Sequence, residues 1–220
     1  MLDLLIPHRC AGCTVPCHGA WCPRCADRLA ALALVDGAPV ELAEGVRAVG
    51  AYPHEGLARD VLLAAKLRGR HAALPAMAAL LRQRLRLPPP GDGLGWTWIP
   101  SGSRSRRRRG LDVPERLAGP GAVRLLAGSA GRLGQTGRHA QDRRRGARGR
   151  FRVLGRPEPA IVCVDDVRTT GSTARSAGLA LREAGAERVL VATFTVRADP
   201  ADQADPADQA DAAGLARRTW

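Results

Sequence analysis

The chain has no asparagine, one lysine (Lys66) and few aromatic residues, which make up 3% of its 220 positions. Scarce aromatics leave Leu, Val and Ala to fill the core, and they argue against a stacking platform for single-stranded nucleic acid. No apolar run approaches the roughly 18 to 20 residues needed to cross a bilayer. The opening Met1–Ile6 segment is too short for a secretory core and lacks a basic leader, so a cytoplasmic location is expected. The lack of lysine colours the net charge of +13: 33 of the 34 basic residues are arginine. With abundant Ala and Gly, that skew reads as compositional bias, and much of the charge as a solvated surface. The clusters Arg106–Arg109 and Arg143–Arg145 stand apart, because like charges packed so tightly repel unless an anion offsets them.

What is present suffices for one ordinary domain and a small appendage. The apolar fraction of 45% is normal for a globular protein. Residues 1–35 form a Cys-rich module, 46–197 a globular domain, and 198–220 a tail. The tail repeats Pro-Ala-Asp-Gln-Ala-Asp from Pro200 and again from Pro206, with almost nothing apolar to bury, which predicts disorder. Within the domain, alternation predicts a strand at 46–52, and helical spacing predicts helices at 57–67 and 74–87. A short strand is expected at 96–99, and a helix over 114–126 with Pro114 in its first turn. An exposed loop is expected over 131–150. The apolar run 161–167 reads as a buried parallel strand. A helix over 173–184, ended by Gly185, and a strand over 188–196 complete a βαβ unit.

Five of the six cysteines lie between positions 10 and 25. In a cytoplasmic chain such clustering points to metal rather than disulfides. Cys10-Ala-Gly-Cys13 and Cys22-Pro-Arg-Cys25 are two Cys-x-x-Cys knuckles, and together they supply four thiolates for a tetrahedral site. Zinc suits this set best, with an iron–sulfur cluster as the alternative. Cys17 is a fifth candidate, and His8 and His18 are lesser ones. A segment so small buries too little apolar surface to fold alone, so the metal would supply its folding energy.

Residues 161–173 read Ile-Val-Cys-Val-Asp-Asp-Val-Arg-Thr-Thr-Gly-Ser-Thr. The strand delivers Asp165 and Asp166 at its C-terminal end, where ligands bind in open α/β sheets. Thr169, Thr170, Ser172 and Thr173 bring hydroxyl donors, and Gly171 permits close backbone approach. A helix then begins, and its unpaired N–H groups suit a phosphate monoester. The carboxylates are placed to accept hydrogen bonds from vicinal ribose hydroxyls.

This loop resembles the phosphoribosyl-pyrophosphate (PRPP) signature of type I phosphoribosyltransferases. With Leu4–Cys13, Tyr52–Lys66 and the Arg109-Gly110 turn, the chain over roughly 1–197 is similar to the ComF family of competence-associated, amidophosphoribosyltransferase-like proteins. The resemblance implies a type I phosphoribosyltransferase-like α/β fold, a parallel sheet flanked by helices, with a small N-terminal zinc ribbon. It implies that Asp165 and Asp166 grip the ribose hydroxyls and that Thr169 to Thr173 cradle the 5′-phosphate, with Mg²⁺ accompanying PRPP. Tyr52, Gly56 and Lys66 would lie near the active-site face, Lys66 as a phosphate or pyrophosphate partner. Arg109, Gly110 and Arg143 would belong to the pyrophosphate loop and flap. The chain departs from the family there. Ile99-Pro-Ser-Gly replaces Pro-Val-Pro, and Arg109-Gly-Leu-Asp-Val113 replaces Arg-Gly-Phe-Asn-Gln. Gln135 and Arg143 match downstream, but the family's asparagine has no counterpart.

Two classes of function follow. One is an enzyme that exchanges the anomeric pyrophosphate of Mg²⁺·PRPP for a nitrogen nucleophile, in nucleotide metabolism or beside competence. The other is a non-catalytic accessory in DNA uptake, with arginines on the phosphate backbone and the zinc module docking nucleic acid or a competence-machinery protein.

Overall fold

A computed structural model describes residues 8–32, 38–91, 93–128 and 150–197. Gln135, Arg143, the expected loop at 131–150 and the repeat tail from 198 lie outside the described residues, the loop but for Arg150. In chain order, β1 (His8–Arg9) and β2 (Pro16–Cys17) pair antiparallel and lead into α1 (Pro23–Ala31). There follow β3 (Val40–Ala43), β4 (Val46–Pro53), α2 (Gly56–Leu67), a 3₁₀ turn (His71–Ala73) and α3 (Leu74–Leu85). Next come β5 (Leu94–Trp98), α4 (Ser103–Arg109), α5 (Val113–Ala118) and β6 (Leu126–Gly128). The described chain ends with β7 (Phe151–Val153), β8 (Ala160–Arg168), α6 (Ser172–Glu183) and β9 (Arg188–Val196).

The central sheet has five strands in the order β3-β4-β9-β8-β5. All neighbours run parallel except the edge strand β3, which pairs antiparallel with β4. The apolar run of β8 explains its central place, since it is buried on both faces. Val162 and Val164 join one core with Trp96, Trp98, Phe194 and helices α2, α3 and α5. Ile161 and Cys163 join the other with Val189, Val191 and α6. This period-two division matches the pleat of a strand covered on both sides. The fold is therefore α/β, with a mostly parallel sheet flanked by helices.

The Cys-rich segment adds to the first core rather than starting a new one. Cys10, Ala11, Cys25 and Leu29 are buried in the same cluster as Leu57 and Leu62 of α2. Arg84 on α3 closes the seam. Its guanidinium donates to the carbonyls of Ala30 and Leu32 at the end of α1 and of Ala51 on β4. It also lies 4.3 Å from the ring centroid of Tyr52. A cation over a ring, with its donors on carbonyl oxygens, ties the two parts without burying a bare charge.

Two expectations change. The helix foreseen over 114–126 stops at Ala118, because Gly119 takes a φ of 75° and Pro120 follows. Proline has no N–H with which to continue the ladder. Beyond it, Leu126–Gly128 pairs with Phe151–Val153 as a small second sheet. Conversely, Ser103–Arg109 is a helix that no periodicity announced. It buries none of its residues, so it has no apolar stripe to read.

Candidate functional site

At the N-terminal knuckles, the Sγ atoms of Cys10, Cys13, Cys22 and Cys25 all lie within 4.8 Å of one another. Sulfurs bound at about 2.3 Å around one tetrahedral zinc would stand about 3.8 Å apart. The Cys13 and Cys22 sulfurs are 3.6 Å apart. The donor set and spacing thus fit a metal such as zinc. Two backbone N–H groups, of Cys13 and Cys22, donate to the Cys10 sulfur at 3.5 and 3.3 Å. Burial alone would raise that thiol, but the N–H groups of Cys13, Cys22 and Gly12 outweigh it and bring it down to about 6. Cys25 lacks such donors; burial and the neighbouring sulfurs push it up to about 12. Glycine at position 12 makes room for the sulfurs: a Cβ there would meet Leu57 Cδ1 at 2.7 Å and Cys25 Sγ at 3.0 Å, so the Leu57 side chain would have to shift. Cys17 falls outside the quartet, and its thiol donates to the Gly19 carbonyl at 3.7 Å.

The second assembly lies at the C-terminal edge of the parallel strands. Asp165 and Asp166 lie near the C-terminal end of β8, before Arg168, and Gly171, with φ 71°, turns the chain into α6. Thr169, Thr170 and Ser172 are exposed and Thr173 is half-buried, so the loop presents hydroxyls to solvent. Thr170 Oγ1 donates to Ser172 Oγ at 3.3 Å. Asp165 Oδ1 accepts from the Asp166 N–H at 2.8 Å. Burial, and then the Asp166 charge beside it, holds the Asp165 carboxyl well above the usual carboxylate range. Lys66, in the last turn of α2, places Nζ 2.8 Å from Asp166 Oδ2. The chain's one lysine therefore neutralises one of the two carboxylates.

The predicted Arg109-Gly110 turn ends α4, with Gly110 in the left-handed region at φ 72°. Two residues that the motif reading passed over also meet this edge. Asp112 sits at the N-cap of α5 but makes no side-chain cap hydrogen bond. Its two oxygens instead accept from the Ser101 N–H at 3.2 Å each. Arg106 supports the same corner, 3.7 Å from Asp112 and donating to the Ser101 carbonyl at 2.7 Å. The loop after β5 is thereby held in place. The other is His54, just past β4, whose Nδ1 lies 2.9 Å from Thr195 Oγ1. An isolated histidine in a loop carries no sequence signal; only the strand order brings it here.

A groove of about 560 Å³ runs between α3 and α5, lined by Leu74, Ala78, Arg82 and Glu115 among others. None of residues 165–173 lines it. Among the described residues, no helix is long and apolar enough to cross a membrane.

Fold and site together define an α/β protein with a carboxylate- and hydroxyl-bearing edge and a four-cysteine cluster able to hold a metal such as zinc. No family model matches the chain, and a search of curated proteins finds no match.

Proposed function

We propose that this chain binds PRPP as a type I phosphoribosyltransferase-like, ComF-like protein. One observation carries the reading. A buried parallel strand carries Asp165-Asp166 close to its C-terminal end at Arg168, and the hydroxyl-bearing segment Thr169–Thr173 then leads into the first turn of a helix of 12 residues. The carboxylates accept the ribose hydroxyls, while the loop hydroxyls and the first N–H groups of α6 receive the 5′-phosphate. Lys66 shares Asp166 with the ligand and supplies positive charge beside it. The loop after β5, braced by Asp112 and Arg106, takes the pyrophosphate end with Arg109, Gly110 and Arg143. Mg²⁺ enters on the ligand's own oxygens and would neutralise charge on departing pyrophosphate. The cysteine quartet holds structural zinc.

Calorimetric titration of PRPP with Mg²⁺ tests this directly. The wild type should bind, and Asp165→Asn/Asp166→Asn should weaken binding at least ~100-fold, the loss of two charge-assisted contacts. Absence of wild-type binding would overturn the proposal.

A second reading rests on α4, which exposes Arg104, Arg107 and Arg108. A DNA-handling accessory would use them on phosphates, and its affinity would fall steeply with salt. DNA binding that survives Asp165→Asn/Asp166→Asn and disappears on replacing these arginines would favour that role.

A further inference from the structure

Binding of a phosphosugar does not by itself supply a proton acceptor, and transfer to a nitrogen nucleophile requires one. In the PRPP reading both carboxylates are taken up by the ribose hydroxyls, and Asp166 is paired with Lys66 as well. The strand register brings a third kind of group to the same edge. Pro53 pairs with Val196 and Arg168 pairs with Val196 from the other side. His54 and Thr169 are therefore the next residues beyond two strands that flank β9. Two strand spacings separate them, roughly 10 Å, a span comparable to a bound ribose phosphate.

His54 Nδ1 lies 2.9 Å from Thr195 Oγ1, and the Thr195 hydroxyl also reaches the Asp166 carbonyl at 3.4 Å. With the hydroxyl proton directed to that carbonyl, the Thr195 oxygen accepts from His54, and the ring carries its proton on Nδ1 and its lone pair on Nε2. The His54 N–H donates to the Val196 carbonyl at 2.7 Å, which anchors the backbone. Burial first, then Arg197 beyond β9 and Arg59 and Lys66 on α2, lowers the basicity of the ring, against a smaller opposing effect of Asp166. That lowering favours the neutral ring, the form in which it can take a proton.

The geometry points to His54 as the proton acceptor for an incoming nitrogen nucleophile, oriented through Thr195 by the backbone of Asp166. This rests on the PRPP reading and extends it from binding to transfer. In the step, the nitrogen lone pair forms a bond to the anomeric carbon. The carbon–oxygen bond to pyrophosphate breaks, and its electron pair leaves with pyrophosphate. The proton lost from nitrogen goes to His54 Nε2. The ligand class is a neutral amine or amide-type nitrogen bearing at least one hydrogen.

Two measurements on wild type and His54→Gln test it: calorimetric binding of Mg²⁺·PRPP, and pyrophosphate release with ammonia as nucleophile. Expected are unchanged binding and release slowed at least ~100-fold, the usual contribution of a general base. Wild-type binding without release, release by His54→Gln at the wild-type rate, or loss of binding in that variant would each overturn the role of His54. Failure of the wild type to bind PRPP would instead remove the reading beneath it. Imidazole ¹⁵N spectra of the wild type give an answer independent of the variant's folding. The neutral Nδ1–H tautomer is expected for His54 at pH 7, shifting to the other tautomer in Thr195→Val. A wild-type Nε2–H tautomer or a cationic ring would reject the assignment.

Discussion

The cysteine knuckles and the β8–α6 loop are the two chemical regions of this molecule, and they hold their shapes by opposite means. In the loop, backbone does the work: a strand buried on both faces fixes Asp165 and Asp166, and a left-handed Gly171 starts the helix. In the knuckles, little regular structure exists beyond two-residue strands and one helix of 9 residues. Four sulfurs gather there, two of them, Cys10 and Cys25, buried at the margin of the first core. A site built on a sheet edge can lose its polar groups and keep its fold, whereas a segment whose shape rests on its ligands cannot. That contrast orders the expected effects of mutation.

The largest effect should come from Cys10→Ser or Cys25→Ser. Zinc measured on the purified protein should fall from about one per chain to a small residue, and the 8–32 segment should become protease-sensitive, because metal affinity there is folding free energy. Retained stoichiometric zinc would break the comparison at its first term. Asp165→Asn should act the other way around, weakening PRPP binding while leaving thermal stability unchanged or raised, since a desolvated carboxyl costs the fold. The sign with pH follows from its raised folded value. The folded state binds the Asp165 proton more tightly than the unfolded chain. Its contribution to stability is present at low pH and is lost as pH climbs from the ordinary carboxylate range, about 4, through the raised value. A wild-type melting temperature that falls over that interval, with a flatter profile in Asp165→Asn, would bear this out.

Arg84→Ala probes the seam between the regions. Losing its carbonyl contacts and its place over Tyr52 should cost about 2 to 3 kcal/mol in chemical denaturation. An unchanged midpoint would mean that the seam is held by packing alone. Gly171→Ala should cost about 1 kcal/mol, since φ is 71° and the new Cβ would stand 3.2 Å from Leu42 Cδ2. The smallest effect belongs to Cys17→Ser, whose thiol lies outside the quartet; its zinc content should equal that of the wild type.

Legibility followed the same division. Strand β9 coincides with the expected 188–196, and β8 and α6 differ from expectation by a residue at their ends, because burial on both strand faces and an amphipathic helix leave plain patterns. The cysteine spacing picked out the four residues that the fold gathers. Helix α4 was illegible because its stability owes nothing to an apolar face. Asp112 carried no signal in the sequence, because its carboxylate is spent on the backbone of Ser101, 11 residues away.

Sequence alone determined the local chemistry: two knuckles with metal-ligand spacing, and a strand–loop–helix carrying carboxylates and hydroxyls in the order a phosphosugar would need. These are short-range patterns, in which backbone geometry over a few residues sets where side chains lie. Tertiary structure decided which distant residues join them. Lys66 reaches Asp166 from α2, Arg84 binds the knuckle helix to the sheet, and His54 reaches Thr195 across 141 positions of chain. Such pairings follow from strand order and from helices packing over strands, which depend on the whole core and on no single segment.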